Sequence, residues 1–297
     1  TAYEEAIKLI QSDKKERLEM LSRVEKEIAR IKKGRFPHAQ LAALDALQFD
    51  LQVKSELNDP EIQKQFKLGQ IDMSRPVFRY MRQKHFEKAP RSKLLERITQ
   101  MNVIPDLLPP DLMPVVDVQI RVNEEAEPIE PGVFVKPEQT INAPLVDVTN
   151  FHMDTRLYTL LLVDPDSPDV ANKTYKQRCH WLMANVPLSA TQSRVTDGNT
   201  ILEYVPPHPE KGTKYHRYTL IAYEQPNQDK LDIKAERDAF DTKAFAEKHG
   251  LKVRGVSFFR EEWDPSVSKV YEIMGVSEPI YGKPPKPKRV FQPTKYF

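Results

Sequence analysis

Cysteine is almost missing from this chain: Cys179 is the only one in 297 residues. No intrachain disulfide can form, so the fold is not stapled for an oxidising compartment, and an intracellular one is expected. Long apolar stretches are missing too. The longest run, Tyr158 to Val163, falls far short of the ~20 residues a membrane helix requires, so no membrane insertion is expected. No two histidines stand at i, i+4 spacing, and Asp164-x-Asp166 lacks the rest of a calcium loop, so neither a metal nor another cofactor is expected. Cys179 adjoins His180, but neighbouring residues on a strand face opposite sides, so the thiol and imidazole should not meet and no catalytic residue is expected. The chain opens at Thr1 with neither methionine nor a charged-then-apolar leader, which fits a cleaved targeting segment or a trimmed chain.

What is present is 39% hydrophobic residues, enough for a real core, and an uneven charge layout. Residues 1–100 carry 21 Lys and Arg against 15 Asp and Glu, residues 101–275 carry 19 against 27, and residues 276–297 carry 5 against 1. Basic ends on an acidic body suit an anionic partner for the ends.

The first hundred residues read as helices. Ile7, Ile10, Leu21, Val24, Ile28 and Ile31 hold one heptad register, which Lys14 and Arg17 interrupt, and Gly34 and Pro37 stop it. A second helix runs through Leu41, Leu44, Leu47 and Leu51 to about Asn58, and Asp59-Pro60 offers an N-cap and first-turn pair for a third. So little apolar surface cannot offset the ordering entropy, so this extension should dock on the body, a protein or RNA. Between Met73 and Met101, Arg75, Arg79, Arg82, Lys84, Lys88, Arg91 and Lys93 interleave with Phe78, Tyr80 and Phe86. Such a mixture can neutralise phosphates and stack bases, or form an amphipathic helix whose aromatics pack inward.

Prolines 105, 109, 110 and 114 mark a change of character. Val116, Val118, Ile120 and Val122 alternate as in a half-buried strand, and further strands are expected at Gly132–Val135, Leu145–Val148, Leu157–Val163, His180–Val186, Ile201–Val205, Arg217–Glu224 and Val253–Glu261. With no repeated βα unit, the body should be an antiparallel sandwich with two short helices, Asp241 to Lys248 and Val267 to Met274.

Three blocks carry possible chemistry: Asp164-Pro165-Asp166-Ser167-Pro168, Cys179-His180-Trp181-Leu182, and Lys211-Gly212-Thr213-Lys214-Tyr215-His216-Arg217-Tyr218. Placed on strand ends and turns, His180, His216 and Tyr218 could donate to an anion while Asp164 and Asp166 orient the donors. Equally, the aspartates could cap turns and the histidines could be satisfied core residues.

These blocks, with Asn185, Tyr223-Glu224-Gln225 and Phe240-Asp241-Thr242-Lys243-Ala244-Phe245, resemble the phosphatidylethanolamine-binding protein family over about residues 101–275. The resemblance implies a mainly β fold: an antiparallel sandwich core with short helices, here preceded by an all-α extension at 1–100 and followed by an extended basic tail at 276–297. It also implies a small anion pocket lined by Asp164, Asp166, His180, His216 and Tyr218. Two departures oppose a headgroup there. His208 stands where the family has a glycine at the pocket mouth, and Glu210 replaces the second proline of its lip, so a small-molecule ligand is disfavoured. The helical extension resembles a family branch found in the mitochondrial large ribosomal subunit. That branch implies a non-catalytic structural role in the mitochondrial matrix, at the central protuberance, with ribosomal proteins and rRNA as partners and a removed presequence before Thr1. In the tail, Lys283, Lys286, Lys288 and Arg289 alternate with prolines that forbid helix and central strand, so the segment should run extended with its cations available to RNA or protein.

Overall fold

The computed structural model describes residues 1–34 and 38–282, with the side chains of His38 and Ala39 also left aside. The tail cations Lys283, Lys286, Lys288 and Arg289 therefore lie outside the described residues.

Two helices, α1 (Ala2–Lys33) and α2 (His38–Glu56), pack side by side as a hairpin. Thr1 and Glu4 form a capping box at the start of α1. Its seam is narrow: only Ile28 and Ile31 are buried, while the other heptad residues are half-buried. Lys14 holds its place on that seam because its Nζ reaches Asp59 at 3.2 Å, and Arg17 pairs with Asp13 at 2.7 Å. α3 (Pro60–Lys67) starts as expected, with Asp59 accepting from the Glu61 N–H and Pro60 in the first turn. α4 (Pro76–Lys88) joins it through a small core of Ile62, Val77 and Phe78.

α5 (Pro90–Gln100) and the single turn α6 (Val103–Asp106) then enter the body itself. Leu94, Ile98, Val103, Leu107 and Leu108 join one face of the main sheet. That sheet has the order β5-β4-β3-β6-β8, comprising β5 (Asn199–Leu202), β4 (Thr174–Leu188), β3 (Arg156–Asp169), β6 (His216–Glu224) and β8 (Lys252–Glu261), with the short β7 (Asp238–Phe240) paired to β4. Every pairing in it is antiparallel. Side-chain alternation along each strand serves two cores. Leu161, Val163, Ile221, Tyr223, Val256 and Phe258 meet α5 and α7 (Thr242–Lys248), whereas Leu160, Leu162, Leu220, Ala222 and Phe259 meet a second sheet. This is the antiparallel pair β1 (Asp117–Arg121) and β2 (Leu145–Thr149), which contributes Val118, Ile120, Val146 and Val148. A last helix, α8 (Val267–Met274), ends at Gly275 in the left-handed conformation.

Several expectations need correction. Gly132–Val135 is no strand; it runs beside β8 through the Gly132 N–H to Phe258 and Val135 N–H to Arg260 bonds, with one parallel bridge, Phe134 to Arg260. The strand expected at Ile201–Val205 is the shifted β5, and the three-residue β7 was not anticipated. The Asp164–Pro168 block sits inside β3 at a register irregularity and not at a strand end, so its prolines fall where the ladder is already broken.

Candidate functional site

The β-rich body does gather the expected residues, but into a closed cluster. Neighbouring strands supply the parts: Asp164 from β3, His180 from β4, His216 and Tyr218 from β6, and Glu261 from β8, directly opposite His216 in register. All five are at most 3% exposed. His216 is the hub. Its Nδ1 donates to Asp164 Oδ2 at 2.8 Å, its Nε2 donates to Thr213 Oγ1 at 2.9 Å, and Glu210 Oε2 lies 3.4 Å from Nε2. Burial pushes the His216 pKa down, but the charge and hydrogen bond of Asp164, with Glu210, more than reverse this, and it ends above the ordinary histidine value.

The other imidazoles are neutral. His180 donates from Nδ1 to the Val205 carbonyl at 2.9 Å, and burial together with nearby His208 drives its pKa well below the ordinary value. His208 donates from Nδ1 to the Pro206 carbonyl at 2.6 Å, and burial lowers its pKa to about 4. The His208 ring fills the site, 5.1 Å from His180 and 5.3 Å from Tyr271 of α8 between centroids. Tyr218 meets His180 edge-on at 5.1 Å and stacks on Phe259 at 5.6 Å. Burial raises the Glu210 pKa and lifts that of Glu261 to about 8. Four polar atoms in the cluster have no hydrogen-bond partner among the described residues: His180 Nε2, Tyr218 Oη, Glu210 Oε2 and Glu261 Oε2.

Asp166, expected beside Asp164, points elsewhere. Its backbone N–H donates to Asp164 Oδ1 at 2.8 Å, and this local turn swings the Asp166 carboxylate to Arg217. Arg217 answers with a fork, Nε to Oδ2 at 2.8 Å and Nη2 to Oδ1 at 2.7 Å, while its Nη1 reaches the Met101 carbonyl and Asp106, both at 2.8 Å. Asp166 thus fastens α5 and α6 to the sheet and takes no part in the cluster. Glu261 and Arg217 were not singled out from sequence; each reads there as an ordinary charge, on the last residue of a strand and between two motif residues.

The basic stretch of α4 and α5 is mostly spoken for. Arg79 is buried and donates to the carbonyls of Met73 and Ser74 at 3.1 and 2.7 Å, so it is closed to any partner. Arg75 pairs with Glu56, Arg82 with Asp117, Lys84 and Arg91 with Glu87, and Lys93 with Glu130, at 2.8 to 3.9 Å. Lys88 is exposed and makes no salt bridge among the described residues. Phe78 and Phe86 are buried, the latter 6.0 Å from Phe151, and follow the inward-packing alternative, whereas Tyr80 is half-buried with the Lys84 ammonium 5.7 Å from its ring.

The pattern of the phosphatidylethanolamine-binding protein family matches residues 121–259, a span that holds every residue of the cluster except Glu261. The chain is also 31% identical over 218 residues to large ribosomal subunit protein mL38 of Schizosaccharomyces pombe, covering 72% of this chain and 71% of that protein. This chain belongs to the phosphatidylethanolamine-binding protein family. A family relative in rice, MOTHER of FT and TFL1 homolog 2, is 33% identical over 142 residues, which cover 46% of this chain and 78% of the rice protein. Among solved structures of the family fold, the carboxypeptidase Y inhibitor in complex with its cognate proteinase superposes with a TM-score of 0.52 at 21% identity, over 59% of this chain and 97% of the inhibitor. His208 and Glu210, expected at the mouth of the pocket, are 4% and 7% exposed and turn inward against His180 and His216.

Proposed function

We propose that the chain is a non-catalytic structural component of the mitochondrial large ribosomal subunit, at the central protuberance and in the matrix, where it supports translation through contacts with neighbouring proteins and rRNA. One observation carries the reading. The match to the ribosomal protein runs over 218 residues and covers 72% of this chain, against 46% for the rice relative. In this division of labour the helices at 1–100 and the tail at 276–297 make contacts, and the body at 101–275 supplies a rigid base. The test is sedimentation of the tagged protein from a mitochondrial lysate. It is expected to travel with the large subunit and to remain there in high salt; migration as a free chain overturns the reading. Deleting residues 1–56, which removes α1 and α2 and spares both cores of the body, is expected to weaken that association.

The preserved pair of His216 and Asp164 favours a second reading, a regulator that binds phosphate-bearing headgroups. It predicts saturable binding of phosphoethanolamine. The closed mouth predicts the opposite: a flat calorimetric titration for the wild type, and measurable binding only when His208→Gly and Glu210→Pro are combined. A wild-type isotherm that His216→Ala abolishes would establish the regulator.

A further inference from the structure

Exposed aromatic rings are few in this molecule, and they cluster. Of the four exposed aromatic side chains among the described residues, Tyr3, Phe134, Tyr175 and Tyr215, the last three share one face of the body. Phe134 and Tyr215 meet edge to face at 5.7 Å, and the Arg260 guanidinium lies 4.1 Å from the Phe134 centroid and 5.0 Å from that of Tyr215. Arg260 is itself fixed by donating from Nε to the Gly132 carbonyl at 2.7 Å. The Tyr215 ring is therefore held in place while 40% exposed. The same ring lines a cleft of about 300 Å³, together with Tyr175, which is 62% exposed. Gln100, Asn102 and Lys214 bring polar atoms to the same cleft.

The charge at this cleft favours an anion. Lys214, on the cleft wall, makes no salt bridge among the described residues, whereas the acidic group there, Asp166, is neutralised by Arg217. A fixed, exposed ring beside an unpaired lysine suits a nucleobase with its phosphate: the ring face takes the base irrespective of its identity, and the ammonium takes the backbone.

We propose that the cleft between Tyr175 and Tyr215 holds one unpaired nucleotide of RNA, its base stacked on Tyr215 and its phosphate on Lys214. This deepens the ribosomal reading and rests on it. It also places base stacking on the body and not on α4, where Phe78 and Phe86 are buried. The cleft touches the closed histidine cluster only at His216 and Thr213 and requires no opening of it.

The test is photochemical cross-linking of the full chain to an oligouridine of about ten nucleotides carrying 4-thiouridine, within the usual footprint of a single-strand site. Adducts mapped by mass spectrometry are expected on Tyr175 or Tyr215. Tyr215→Ala is expected to weaken oligouridine binding about tenfold, and Tyr215→Phe to retain it, since the stacking face survives. Both side chains are exposed, so the unfolding midpoints should match the wild type. Adducts confined to the helical extension, or an unchanged affinity for Tyr215→Ala, overturn the proposal. Competition by uridine monophosphate at the concentration that suffices for the oligomer would assign the cleft to free nucleotides and also overturn it. The sedimentation experiment keeps the two readings apart: wild-type protein that travels with the large subunit while the cleft stays bare of adducts sinks the cleft alone, and wild-type protein that does not travel with it sinks the ribosomal reading.

Discussion

Arg217→Ala is expected to lower the unfolding free energy by about 3–5 kcal/mol, read from urea denaturation with tryptophan fluorescence and circular dichroism as coincident probes. The side chain is 11% exposed and spends its donors on three different segments: Asp166 in β3, Asp106 in α6, and the Met101 carbonyl at the end of α5. Removing it leaves the Asp166 carboxylate, itself 19% exposed, without its bidentate partner and frees the helices from the sheet. Arg217→Lys is expected to recover little, because one ammonium cannot reproduce a planar fork. A loss below about 1 kcal/mol would place the pair among ordinary surface salt bridges.

The second large effect concerns pH. Burial, reinforced by Asp264 and Asp164 against the hydrogen bond from Thr140, keeps Glu261 protonated up to about 8, where an unfolded chain would ionise it near 4.5. Between these values the unfolded state gives up a proton that the folded state retains, so this residue makes stability fall as pH rises from 4.5 to 8. Glu261→Gln keeps an acceptor for Thr140, whose hydroxyl lies 2.7 Å from Oε1, and removes the titration. The variant is expected to gain on the order of 3 kcal/mol at pH 8 and almost nothing at pH 4. His208 acts on the acid side with the opposite slope. Its folded value of about 4 against 6.5 means that the unfolded chain takes up a proton the folded one refuses, so stability falls as pH drops through that window. His216, raised by Asp164, stabilises fully below its unfolded value and loses this contribution as pH climbs through its folded one. Denaturation profiles of wild type and Glu261→Gln across this range check all three signs. Equal stability of the two at pH 8 would show that Glu261 is ionised and compensated in the fold.

Local rules carried far along this chain. Gly34, the pair Asp59 and Pro60, and the alternation of Val116, Val118 and Ile120 each depend on near neighbours, and helix ends and strand faces follow from them directly, while Pro37 lies outside the described residues. What could not be read depends on distant partners. Lys14 looks like a fault in a heptad until Asp59 is found beside it. Asp164 and Asp166 are two apart, which on a regular strand would put both on one face; only the backbone irregularity and the Asp166 N–H to Asp164 bond send them to different partners. The three histidines were legible as a group, because the motifs that hold them lie on the two strands that flank β3 and in the loop leading into β6. Their state was not, since the lowered pKa of His180 and the raised pKa of His216 are set by burial and by Asp164, both products of the finished core. Glu261 is the clearest omission: a carboxylate at a strand terminus is normally solvated, and only the β6 to β8 register places it against His216.

The attachment of α5 to the body has a mechanical consequence. With α1 alone about 48 Å long at 1.5 Å per residue, the helical hairpin reaches well away from the sheet. It is joined through Arg75 to Glu56, Arg82 to Asp117, Lys93 to Glu130, and Leu94 and Ile98 inside the core. The hairpin is therefore a strut and not a leash. A helix pair tied to the body in this way meets a partner already oriented, so it loses less orientational freedom on docking than a disordered arm would.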